Sequence, residues 1–338
     1  MFRYFGTSAV ITIAAVLIAL FALGPAAAIT TLVLIAIEIA FSFDNAIINA
    51  KILEKLSNFW QQLFLTVGMV FAIVGMRFVF PIVIVMITAG LSWGTVINEA
   101  LHQPTIYGDH LAEAHAAIAS FGGSFLLTLT AYFFLDQARK ELWLKRTEKL
   151  LQAIGGSTWV PPAIVAIAVF IASRFVGDQS GTVLRAGLIG VSSYAAIYLL
   201  IEALGKLTPH GQKVYSGWPA FLAFMYLQLL DASFSFDGVL GAFAITDKVL
   251  LIALGLGVGA IWVRSLTVYF VRQGTLSSYK YLEHGAHYAI LVLAVALYVS
   301  LYIEVPDAIT GIVGLGVIAA SFISSREALR AKHKASQN

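Results

Sequence analysis

The sequence predicts an all-α, polytopic membrane protein, and three observations carry that prediction. Apolar residues make up 59% of the chain and charged residues only 12%. Apolar runs of about 18 residues or more recur along its length, each sufficient to cross a hydrocarbon core of roughly 30 Å as a helix. The runs are continuous rather than alternating, which excludes a transmembrane β-barrel. Cysteine is absent, so disulfides, thiolate metal sites and cysteine nucleophiles are excluded. No Ser–His pair and no His-Glu-x-x-His arrangement falls within a span, and no enzyme is expected.

About ten spans are expected, near residues 7–24, 27–50, 61–87, 115–136, 160–177, 183–204, 218–245, 248–270, 285–303 and 305–324. The first has the basic start and small-residue end of a signal peptide, yet it reads as a helix that stays. Charge placement tests the count. With ten spans, 16 of the 21 Lys and Arg fall on one face, as the positive-inside rule requires of the cytoplasmic side. Both termini then lie in the cytoplasm, and the expected location is the plasma membrane. Residues 88–114 lack Lys and Arg and form the outer connection, where Asp109, His110 and Glu113 are a loose candidate cluster. Residues 137–154 read as a basic amphipathic helix lying against anionic headgroups and ending at Gly155-Gly156. His284 and His287 sit at i, i+3 near the cytoplasmic end of the ninth span. No nucleic-acid partner is expected, and nothing in the sequence fixes an oligomeric state.

The informative feature is a repeat. "FSFD" occurs at 41–44 and at 234–237, each time in an apolar run with a second acid upstream. An offset of 193 lays Glu38 on Asp231, Ser42 on Ser235 and Asp44 on Asp237. The next helices also match, since Gly68 and Gly255 each precede an arginine, Arg77 and Arg264, by nine residues. The motif helices are the second and seventh spans, so an odd separation makes the repeats inverted, the architecture of many secondary transporters. The expected organisation is an N-terminal helix (1–26), a first repeat (27–136), a linking region (137–217), a second repeat (218–303) and a last helix with a basic tail (304–338). Each repeat contributes three helices to the core, and the first and last spans lie at its periphery.

A carboxylate at the membrane centre costs about 2.5–3.5 kcal/mol on translocon scales, so four of them need protons, arginines or a cation. On an ideal helix Glu38, Ser42, Asn45 and Asn49 form one polar stripe. Gln228, Asp231 and Ser235 form its counterpart, with Gly238 in place of Asn45. Asp44 and Asp237 point away from the stripes unless the helix breaks at both motifs. Asp-Asn and Asp-Gly are poor helix interiors, so a break in each is expected. The oxygen-only set Glu38, Asp44, Asp231 and Asp237 suits a hard divalent cation such as Mn²⁺ or Ca²⁺. The competing reading is that Arg77 and Arg264 pair with the acids and fix helix packing, with Arg264 near enough to its helix end to snorkel. In a combined reading the arginines hold the acids until a cation displaces them.

At "EIAFSFDNA" and "DASFSFDGVLGAFAITD" the chain resembles the TerC family of integral membrane proteins, named for tellurium resistance and grouped with the LysE transporter superfamily. The resemblance covers roughly residues 30–90 and 220–300, and Gly238 departs from it where a serine is common. It implies manganese as exported substrate rather than resident cofactor, with candidate ligands at Glu38, Asp44, Asp231 and Asp237. Protons are the expected counter-ion. The alternatives are a membrane scaffold of a tellurite or stress-resistance complex, and an exporter of a small organic substrate.

Overall fold

The computed structural model describes residues 2–207, 214–243, 245–246, 248–273, 279–303 and 305–335. Within its helices the side chains at 2–3, 41, 72, 76, 201, 204–207, 232–237, 240–241, 243, 307–308 and 331–335 lie outside the description. Ser235 and Asp237 are among them, so only their helical backbone enters below.

The described chain is predominantly helical, with α1 at Phe2–Leu23, α2 at Pro25–Phe41 and α3 at Phe43–Leu53. Helix α4 occupies Asn58–Ala89. There follow α5 (Trp93–His102), α6 (Pro104–Glu113), α7 (His115–Leu135), α8 (Lys145–Ile154), α9 (Val160–Ser173) and α10 (Ser180–Leu207). Four more complete the chain: α11 (Gly217–Phe243), α12 (Val249–Gln273), α13 (Leu282–Val299) and α14 (Asp307–Ala335). Each of the ten segments expected to span is helical. Among the described residues seven helices are long and apolar enough to cross a bilayer, and α2 with α3 counts as an eighth if the bent pair is one span. Of the other two, α9 has 14 residues, so it is shorter than the segment 160–177 that hydropathy marked out. Chain punctuation follows local chemistry. Pro25 opens α2 after Gly24, whose φ of 94° no β-carbon would tolerate well. Gly90, at φ 67°, ends α4 in the left-handed cap expected of glycine.

The packing exchanges the two halves. Helix α12 lies along α2 and α3, while the middle of α4 lies along α11. The third helices, α7 and α13, pack on each other, and each also touches the motif helix of the other half. The α12 seam is tight: a β-carbon on Gly255 would come within 2.5 Å of Leu34 Cβ, and one on Gly259 within 2.4 Å of Glu38 Cβ. Small residues spaced by four let helix backbones meet in lipid, where packing and polar contacts replace hydrophobic drive.

One expectation needs correction: the segment 137–154 becomes helical only at Lys145. On that helix Glu148 is fully buried and accepts from Arg139 Nη1 at 2.9 Å and from Leu144 N at 3.0 Å. The last helix, as little buried as α1, packs on α2, α3 and α13 and walls a cavity beside Asp44.

Candidate functional site: a buried acid–arginine chamber

The first motif breaks and the second does not. Helix α2 closes on Ser42, whose φ of −98° and ψ of 17° leave the helical region, and the axis turns by 51° into α3. Across the break Ser42 N still donates to Glu38 O at 3.0 Å, while Asn45 N donates to Asp44 Oδ1 at 2.9 Å. Asp44 thereby stands in the first turn of α3, where exposed amides favour an anion. Helix α11, by contrast, runs unbroken through the second FSFD and ends at Phe243. A break at both motifs was expected, and only the first occurs. Glycine at 238 weakens a helix intrinsically by about 1 kcal/mol, yet this one continues. Its bare surface faces Glu38, whose Oε2 would lie 3.5 Å from a β-carbon there.

Each upstream acid meets the arginine of its own half. Glu38 Oε1 accepts from Arg77 Nη2 and from Ser42 Oγ, the latter at 2.8 Å. Arg77 sits in a nine-residue π-helical stretch of α4, Phe71–Val79, a rare geometry that recurs at functional sites. On the other side Arg264 Nη2 bonds Asp231 Oδ2 at 3.0 Å, and Asn49 Nδ2 bonds Asp231 Oδ1 at 3.0 Å. Arg264 also donates to the carbonyls of Phe64 (2.5 Å) and Gly68 (2.7 Å) and lies 4.2 Å over the Phe64 ring. Those carbonyls border Thr66, where α4 is interrupted at φ −107°, ψ −80°, and Gly68 O also accepts from Phe71 N. Arg264 is 5% exposed, which removes the expectation that it could snorkel to the surface.

Two small cavities share this region. One, of about 20 Å³, is lined by Glu38, Ser42, Asn45, Asn49, Asp231 and the two arginines. It exceeds the roughly 10–15 Å³ that admits one water. The predicted stripe on α2 and α3 therefore faces a common space. The other, of about 50 Å³, is lined by Glu38, Ser42, Asp44, Gly238 and, from α14, Thr310, Gly311 and Gly314. Glu38 and Ser42 belong to both. Among the described residues Asn45 Oδ1 and Asn49 Oδ1 are buried without a hydrogen-bond partner, as are both amide atoms of Gln228. Gln228 is held apart from the small chamber, close to Gly68. Unmet acceptors of this kind are uncommon in folded interiors and call for an unplaced water or ion.

Among the described residues no three His, Asp or Glu side chains converge on one point. Glu38 and Asp231 are each tied to an arginine, Asp44 lies across the break, and the Asp237 side chain is outside the description. The outer candidates separate as well. His110 lies 3.8 Å from Glu99 and 3.7 Å from Glu113, and it presents a different ring nitrogen to each. The inner histidines are spoken for: His284 Nε2 contacts Glu141 O at 2.9 Å, and His287 stacks on Phe133 at 3.6 Å. Glu148 went unnoticed in the sequence, because it lies in a basic helix and that context does not advertise burial.

Continuous apolar helices around a buried, charge-compensated centre define a polytopic α-helical membrane protein. The chain belongs to the family described as "Protein of unknown function (DUF475)", whose model matches residues 43–332. No curated protein and no solved structure matches it.

Proposed function

We propose that this protein is a secondary transporter that moves a divalent metal cation, manganese before calcium, out of the cytoplasm through the chamber at the Ser42 break. The observation that carries the reading is the break itself. It sets the buried Asp44 beside Glu38 and Ser42, all three lining one cavity, next to amide oxygens without partners. Carboxylate, hydroxyl and amide oxygens are the donors hard divalent cations take. Glu38 and Asp231 have arginine partners; Asp44 accepts from the Asn45 amide and is the acid on which a cation would first settle. Arg77 then serves as the internal cation that holds Glu38 between transport events. The motif resemblance to the TerC family supports manganese and export, and protons are the natural counter-ion for a site of carboxylates.

The scaffold reading has one observation behind it, the arginine pairing of Glu38 and Asp231. It leaves Asp44 without a purpose. An organic substrate is disfavoured by volume, since about 50 Å³ has room for an ion with a few waters.

Mn²⁺ flux into proteoliposomes tests the proposal. Asp44→Asn and Asp237→Asn are each expected to lower flux at least tenfold with helical content unchanged. Wild-type flux in both variants removes the reading.

A further inference from the structure

A third cavity, sharing no lining residue with the two central ones, opens where α7, α9 and α10 come together. It measures about 330 Å³, and Tyr132, Asp136, Gln137, Ser157, Pro161 and Tyr198 are among the residues around it. That volume falls within the roughly 300–1,000 Å³ typical of small-molecule sites.

Its hydrogen-bonding character is one-sided. The first turn of α9 borders the cavity, and a helix N-terminus ordinarily offers amides to an anion. Here those donors are spent. Val160 N bonds Ser157 O at 3.0 Å, Trp159 N bonds Ser157 Oγ at 3.4 Å, and Ala163 N bonds Trp159 O at 3.2 Å. Pro161 and Pro162 have no N–H to give. The Gln137 amide nitrogen donates to Gln152 O at 3.0 Å and to Gly155 O. Among the described residues no Lys or Arg lines the space. Arg139 turns away, its guanidinium bonded to Glu148 and 4.1 Å over the Phe133 ring. Acceptors and ring faces remain. Asp136 supplies a carboxylate. Tyr132 and Tyr198 stack at 4.0 Å. Tyr132 is 7% exposed, and its hydroxyl has no partner among the described residues.

We infer that this cavity binds a small organic ammonium ion, supplied either as a free amine or as the headgroup of an aminophospholipid. The N–H groups of the ligand meet the Asp136 carboxylate and the tyrosine hydroxyls, and the ring faces add cation–π attraction. An anion would face the Asp136 carboxylate with no lysine or arginine to offset it, and a bare metal ion would leave most of the space empty. The site does not depend on the transport reading.

Calorimetric titration of ethanolamine into the full-length protein in phosphatidylglycerol nanodiscs is the test. Saturable binding is expected in the wild type. Asp136→Asn keeps an oxygen for the Ala138 amide, now bonded at 2.9 Å, but loses the charge, so binding should weaken at least tenfold. Tyr132→Phe, which deletes only the hydroxyl, should weaken it several-fold. Discs that contain phosphatidylethanolamine separate the two sources: loss of the ethanolamine signal there makes the lipid headgroup the occupant, and an unchanged signal makes it a free amine. Equal affinity in the wild type and both variants, tighter binding of ethanesulfonate than of ethanolamine, or no binding of ethanolamine in phosphatidylglycerol discs overturns the inference.

Discussion

The two FSFD motifs have the same four residues and different backbones. At residues 41–44 the helix stops, bends by 51° and restarts, while α11 passes through residues 234–237 without interruption. The arginine helices differ in the same sense, since Arg77 sits in a π-helical stretch and Arg264 in a regular α-helix. All the irregular geometry is thus in the first half, and the second half serves as the straight frame against which it is held. Duplicated sequence has supplied paired charges, and the division of labour between them comes from the backbone.

The largest effect that would break this comparison comes from the frame. Arg264→Met takes the cation from Asp231 and a donor from the Phe64 and Gly68 carbonyls and should cost about 3–5 kcal/mol, the usual penalty for removing one partner of a buried pair. Thermal unfolding in detergent measures it. Asp231→Asn should cost less than half as much, because the amide oxygen still accepts from Arg264 and the guanidinium keeps Phe64 O and Gly68 O. Equal losses would mean that the ion pair, rather than the carbonyl contacts, anchors the arginine.

The matched glycines sharpen the contrast at the next level. A β-carbon on Gly255 meets the root of Leu34 at 2.5 Å, whereas one on Gly68 meets the Gln228 side-chain end at 3.0 Å. Gly255→Ala should therefore destabilise by about 1–3 kcal/mol, as overpacking does, and Gly68→Ala by less, in the same melting assay. The smallest effect belongs to the break. Ser42→Ala removes the 2.8 Å hydrogen bond to Glu38 and should cost about 1 kcal/mol. It should also alter Mn²⁺ flux more than stability, because Ser42 lines both central cavities.

Much of this could be read from the chain and some could not. Hydropathy located the seven or eight apolar helices long enough to cross a bilayer among the described residues, because a lipid-facing helix must be apolar along its whole length. The pairing of acids with arginines followed from the cost of buried charge. Glu38, Ser42, Asn45 and Asn49 share a face because α2 and α3 keep helical phase through the bend. The one-sided break was illegible, since Asp-Gly is a weaker helix former than Asp-Asn and still stayed helical. Tertiary contact with Glu38 and α12 outweighs that local preference. The buried Glu148 was hidden for a related reason: a helix rich in Lys and Arg looks solvated until its one carboxylate finds Arg139 inside.

One contact sets how Glu38 can behave. Its Cβ and Cγ lie against Gly259 so closely that a methyl group there would overlap both, at 2.4 and 2.6 Å. The stem of the side chain is clamped, and only the carboxylate at its tip keeps rotational freedom. Glu38 is thus a needle on a fixed pivot: it can exchange its two oxygens between neighbouring chambers, but its stem cannot move with them.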